Sequence, residues 1–262
     1  MNLHSLQAIF RFTVLEPFRT RVWLFVIAVT GVVAALAAFS ASLAITESFE
    51  YRVVSYASLM RLIAAFIVML FVASSVIREL EDGTLDLIVS KPVSRASWYI
   101  GKSLGYLFIV LLFSVLCVLP LLAFHAAQCF AWWFCLFAEL AILALASLAF
   151  AITLKSATVA VTASMAFYVL SRVIGALVLM SNRAASEIAQ PINVYVAEVV
   201  RTISYLLPDL SRFADVAKLI EDGVALPAQS SFTDFHYVGI QLVIYCCVLS
   251  CVGMFDLYRR NL

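Results

Sequence analysis

Six stretches of the chain are unbroken apolar runs, and the polar residues gather between them. The runs 22–45, 103–124 and 237–255 carry no Asp, Glu, Lys or Arg. Run 57–77 holds only Arg61, 130–154 only Glu139, and 156–181 only Arg172. About 20 apolar residues in a helix cross roughly 30 Å of hydrocarbon, so each run predicts one spanning helix. Lipid offers the backbone no partners, and no run shows the alternation of a barrel strand, so helices are the expected solution. Before the first run, Leu3, Leu6, Phe10 and Val14 recur at helical spacing, with His4, Gln7 and Arg11 off that stripe. This predicts an amphipathic helix lying in a membrane interface, ended or bent by Pro17. Between the last two runs, Ile192, Tyr195, Val196, Val199, Val200, Ile203 and Leu206 form an apolar helical face that Pro208 stops. Asp209 or Ser211 can cap a second helix running to Asp222. This connection is expected to fold back over the outer face or to cap a pathway.

Composition sharpens that picture. Of 262 residues, 65% are hydrophobic and 13% are Asp, Glu, Lys or Arg, and the mean hydropathy is +1.05. A soluble domain averages about a quarter charged residues. A soluble enzyme, a nucleic-acid binder and a disordered chain are therefore excluded. The six cysteines sit in or beside apolar runs without CxxC or Cys/His spacing. They read as small apolar packing residues, and no metal site is expected.

Six spans leave both termini on one side. That side's connections and tails hold ten basic residues: Arg11, Arg19, Arg21, Arg78, Lys91, Arg95, Lys102, Lys155, Arg259 and Arg260. The short connections opposite hold only Arg52 and Arg61, and the long loop balances four basic residues with seven acids. The positive-inside rule then puts both termini of this multi-pass membrane protein in the cytoplasm. The expected fold is all-α and forms one domain over 1–262. It comprises an interfacial helix (1–21), five spans (22–181), a partly helical outer loop (182–236), and a sixth span with a short tail (237–262).

The densest polar stretch joins the second and third runs: Arg78-Glu-Leu-Glu-Asp-Gly-Thr-Leu-Asp-Leu-Ile-Val-Ser-Lys-Pro-Val-Ser-Arg95. Gly83 permits a sharp turn, Thr84 can cap a short helix, and Asp86 suits its positive end. Leu85, Leu87, Ile88 and Val89 give that helix apolar bulk, and Lys91-Pro92 ends it. The product is a short helix across the membrane surface.

The pattern Glu79-x-Glu81-Asp82-Gly83-Thr84-Leu85-x-x-Ile88, then Lys91-Pro92-x-Ser94-Arg95, then Gly101-Lys102, resembles the permeases of type-2 ATP-binding-cassette (ABC) transporters. Glu16-Pro17-Phe18-Arg19-Thr20-Arg21 and Leu206-Leu207-Pro208-Asp209-Leu210 resemble them too. That broad family includes permeases linked to maturation of copper enzymes such as nitrous oxide reductase. The resemblance implies that the segment between spans two and three is the coupling helix, which docks on an ATP-hydrolysing subunit. Glu79, Glu81, Asp82, Gly83, Thr84, Leu85, Asp86, Ile88, Lys91, Pro92 and Arg95 would form that contact.

Gly101-Lys102-Ser103 superficially ends like a phosphate loop. The required first glycine is Ala96, however, and bulky Trp98, Tyr99 and Ile100 intervene, so the match fails. The ATPase, with its ATP and magnesium, is expected on another chain. Lys102 is expected to snorkel at the inner interface beside Trp98, and Arg61 near the outer end of its span. Glu139 and Arg172 each lie about nine residues in from an outer span end, roughly 13–14 Å deep. Their equal depth on neighbouring antiparallel spans predicts a buried ion pair, read either as a structural lock or as part of a substrate path.

The expected function is the permease subunit of an ABC exporter, working as a homodimer or close heterodimer with two ATPase subunits. The alternative is a non-transporting membrane module that passes ATPase motion to an extracytoplasmic partner.

Overall fold

The computed structural model describes residues 3–43, 48–82, 95–124, 129–154, 156–187, 191–216 and 232–259. Among them the regular structure is helical: α1 (Leu3–Arg19), α2 (Val22–Ser42), α3 (Ser48–Glu81), α4 (Arg95–Ala123), α5 (Cys129–Leu154), α6 (Ala157–Glu187), α7 (Pro191–Leu206), α8 (Leu210–Val216) and α9 (Phe232–Arg259). Six of these, α2 to α6 and α9, are long and apolar enough to cross a membrane. Residues 83–94 lie outside the described set, as do 217–231, where the second loop helix was expected to run on to Asp222.

Helix α5 is the axis of the bundle. Its sequence is rich in alanine, and Ala138, Ala141, Ala144, Ala146 and Ala151 are fully buried. Small side chains let neighbouring backbones close in, which drives helix association where lipid supplies no hydrophobic force. Helices α3, α4, α6, α8 and α9 all pack against α5. Helices α2, α6 and α9 are peripheral, with apolar residues such as Phe39, Leu179, Ile240 and Val243 exposed. In lipid such exposure costs nothing, because the tails are as apolar as the side chains. Cross-links between spans are sparse and specific. Tyr56 donates to the Cys117 carbonyl at 2.8 Å, and Thr153 near the end of α5 bonds Asp256 of α9.

Helix α1 and the last turn of α9 lie at one end of the bundle, termed proximal. Helix α1 runs through Pro17 to Arg19, further than the proline suggested. Proline removes one bond to residue i−4, and the Thr20 amide restores the ladder by donating to Glu16 at 2.9 Å. The chain then turns at Arg21, which takes a left-handed φ of 58°. The inward face of α1 is not centred on the expected stripe. It is centred on Ile9, Thr13 and Pro17, with Thr13 fully buried. The cause is a Gly-x-x-x-Gly pair in α4. A Cβ on Gly105 would lie 2.7 Å from the Thr13 Cβ, and one on Gly101 would lie 3.0 Å from the Ile9 side chain. Two bare glycine positions therefore cut a groove that α1 fills.

At the distal end the long connection turns back inward. Helix α7 packs along the outer part of α6, and α8 reaches Gly175, where an added Cβ would sit 2.6 Å from the Ser211 Oγ. Gly175 is 12 residues before the end of α6, about 18 Å along the helix axis. The connection is thus a hairpin that descends beside α6 and wedges α8 between α5, α6 and α9.

The α1–α4 groove yields a direct expectation. Gly105→Ala should lower the thermal midpoint in detergent, with a loss of about 1–3 kcal/mol from overpacking against Thr13. Gly239→Ala in α9 meets nothing within 4 Å and should leave the midpoint unchanged or raise it.

Candidate functional site

Two ionic clusters are buried in the bundle, one in its distal half and one at its proximal end. The distal one centres on Glu139, which is wholly buried in α5. Its Oε1 lies 3.3 Å from Nη1 of Arg172 in α6, and its Oε2 lies 3.4 Å from Nε of Arg61 in α3. The same Arg172 nitrogen donates to the Leu210 carbonyl of α8 at 3.2 Å. Asp209, Ser211 and Arg212 extend the polar surface beyond it. Asp209 pairs with Arg212 at 3.2 Å, Ser211 donates to Asp209 at 2.5 Å, and Arg212 lies 4.9 Å from the Tyr237 ring centre.

Arg61 does not snorkel. It is 4% exposed and is an ionic partner of Glu139. Helix α3 begins at Ser48, well before the apolar run, so Arg61 stands 13 residues in, about 20 Å along the axis. The isolated two-member pair is likewise corrected to a three-member cluster with two cations and one anion. Its polar atoms are incompletely satisfied: Arg61 Nη2 and Glu139 Oε2 have no hydrogen-bond partner among the described residues.

The proximal cluster joins α1, α3 and α4. Lys102 is 1% exposed, so it does not snorkel either. Its ammonium pairs with Glu79, lies 4.0 Å from Glu16, and sits 5.4 Å from the Tyr106 ring centre. The Ser75 hydroxyl is 2.7 Å from both Glu16 oxygens and 2.9 Å from the Tyr106 hydroxyl. Lys102 follows Gly101, on the face that the glycines bring against α1. Helix α1 covers the ammonium, and two carboxylates replace the water it would otherwise have sought. The Gly-x-x-x-Gly spacing in an apolar span was the available signal for this arrangement.

The charged segment attaches to this cluster. Glu79 belongs to it, while Glu81 and Asp82 are exposed at the end of α3. Across the undescribed stretch, Arg95 opens α4 and donates to the Leu257 carbonyl of α9 at 3.4 Å. Gly83, Thr84, Leu85, Asp86, Ile88, Lys91 and Pro92, and with them the expected coupling helix, lie outside the described residues. No group of His, Cys, Asp and Glu able to hold a metal occurs among the described residues.

With six apolar helices, a polar connection at the proximal end and an inward hairpin at the distal end, the chain is a multi-pass membrane protein of the permease kind. Residues 40–211 match the model of the ABC-2 family transporter proteins. The match covers well over half of the chain, which therefore belongs to that family as a membrane permease subunit of an ABC transporter. No match is found among curated proteins.

The three-member cluster makes a prediction that a two-member pair would not. Glu139→Gln should destabilise the bundle, by up to about 3–5 kcal/mol as for broken buried pairs, or less in a membrane setting. Adding Arg172→Met should recover only part of the loss, because Arg61 stays buried without its anion. Adding Arg61→Met as well should recover most of it. Thermal unfolding of the three variants in detergent measures the series.

Proposed function

We propose that this chain is the membrane-spanning subunit of an ABC exporter and transmits ATP-driven motion from a separate ATPase subunit through segment 79–95. The observation that carries the reading is the anchoring of that segment. Its first acid, Glu79, is held by Lys102 and thereby tied to α4 and α1, and its last residue, Arg95, is tied to α9. A push on the exposed Glu81–Asp82 end therefore meets buried ionic contacts rather than a slack loop. ATP and magnesium belong to the ATPase subunit, and this chain carries no catalytic residue.

Two copies of the permease, paired as a homodimer, enclose the path. ATP closes the two ATPase subunits, the connecting segment moves with them, and the spans rock to give access to the other side. The basic residues at the proximal end support a cytoplasmic position for it in a prokaryotic cell, with the α7–α8 hairpin at the outer face. The exposed Tyr195, Val196 and Tyr205 of α7 favour a second reading, in which the hairpin passes the motion to an outer partner protein. Reconstituted vesicles separate the two: an exporter moves substrate with ATP turnover, whereas the second reading requires the outer partner to change state.

Glu81→Lys or Asp82→Lys should leave the chain inserted but lower its affinity for the ATPase subunit about tenfold, ~1.4 kcal/mol. Co-purification and ATP turnover check this, and wild-type values in both would refute the coupling role. Cysteines introduced by Ser186→Cys and Ser230→Cys should react with an impermeant thiol reagent on intact cells, in a background lacking the native cysteines. Those from Ser90→Cys and Asn261→Cys should not, and labelling at Ser90→Cys would reverse the orientation.

A further inference from the structure

The proximal cluster borders a crevice that it does not fill. One chamber of about 600 Å³ lies between α1 and the end of α3 and is lined by Arg19, Thr20, Arg78 and Asp82. A second, of about 230 Å³, shares Glu16, Thr20, Ser75 and Arg78 with the first and continues outward along Phe25, Phe66 and Leu70. Together they form one amphipathic crevice, polar at the proximal end and apolar beyond it.

Its position along the bundle follows from the distal cluster. Arg61 and Glu139 are in contact. Counting down from that contact, Arg78 is 17 residues along α3 and the end of α5 at Leu154 is 15 residues along its own helix. The polar chamber therefore sits where the spans leave hydrocarbon. Phe66 is 12 residues outward of Arg78, about 18 Å, close to the depth of one leaflet of a roughly 30 Å hydrocarbon core.

The charges in the polar chamber are unequally engaged. The Glu16 carboxylate is taken by Ser75 and faces Lys102, and Glu79 is taken by Lys102. Arg19 and Arg78 are exposed, and neither has an ion pair among the described residues. The crevice thus presents two guanidinium groups, with the exposed Asp82 carboxylate at its proximal rim, at headgroup level above an apolar channel. Guanidinium suits the phosphate oxygens of a headgroup, because its donors match them in pairs.

We propose that this crevice is a binding site for an anionic glycerophospholipid of the proximal leaflet. Arg19 and Arg78 hold the phosphate, Thr20 and Ser74 stand beside the glycerol, and one acyl chain lies along Phe25, Phe66 and Leu70. The bound lipid fills the gap between α1 and α3 that the glycine groove leaves open on its other side. This assignment does not depend on which substrate the transporter moves or on how the ATPase docks.

The test uses the full chain with whatever subunits co-purify, stripped of lipid in detergent and supplied with phosphatidylglycerol or phosphatidylcholine. Native mass spectrometry should show phosphatidylglycerol retained at least fivefold over phosphatidylcholine. The Arg19→Gln/Arg78→Gln variant should lose that preference, and Arg259→Gln at the exposed C-terminal turn should keep it. Equal retention of the two lipids by the wild-type protein, or an unchanged preference in the double variant, overturns the proposal.

Should the double variant fail to fold, the wild-type protein decides with a phosphatidylglycerol bearing a photoreactive group midway along one acyl chain. Cross-links mapped to residues 66–71 are the expected result. Cross-links confined to other helices overturn the proposal. Blocked lipid labelling at 66–71 because a second copy of the chain covers them also overturns it.

Discussion

Glu139 has no exposure, and an ionised carboxylate so placed in an apolar bundle is tolerable only if cations and donors surround it. That requirement organises the distal half of the molecule. It brings α3 and α6 against α5 through Arg61 and Arg172, and through Arg172 it takes in the Leu210 carbonyl, so the connection between the last two spans is drawn into the same centre. The alanines of α5 make the approach sterically possible, and the charges fix which helices make it. Two cations for one anion leave the cluster short of negative charge, and the Leu210 carbonyl takes up part of that excess.

The proximal end solves the same problem with the opposite imbalance. Lys102 lies between Glu79 and Glu16, so two acids share one ammonium. Here the steric device is a pair of glycines rather than alanines, and the helix admitted is the short α1 rather than a full span. The two clusters differ in what they join. The distal one ties spans to a hairpin, whereas the proximal one ties spans to the polar connection at residue 79. The bundle between them is held almost wholly by apolar packing.

The spans were legible because lipid demands long apolar runs, and that signal survives without any tertiary information. The equal depth of Glu139 and Arg172 could be read by counting residues. Arg61 could not, because the helix carrying it continues outward through polar residues such as Glu50 and Arg52, and the apolar run therefore mislocates its end. Lys102 was misjudged for a related reason. Snorkelling is the expected behaviour of a lysine facing lipid, and nothing local to Lys102 tells which way α4 faces. The clue lay in Gly101 and Gly105, whose meaning depends on a partner helix some 90 residues earlier in the chain. The stripe on α1 was displaced on the same account, since the groove rather than hydrophobicity selects its inward face.

The distal cluster also constrains the order in which the protein can be made. Arg61 leaves the ribosome 78 residues before Glu139, so the second span meets the bilayer as a helix with a cation and no counter-charge. A lone arginine in a spanning segment is costly to insert. Pairing with Glu139 relieves that cost only once the fourth span has arrived with its carboxylate. Maturation of this membrane domain then advances in blocks rather than one helix at a time, and the first block closes only when Glu139 has been delivered.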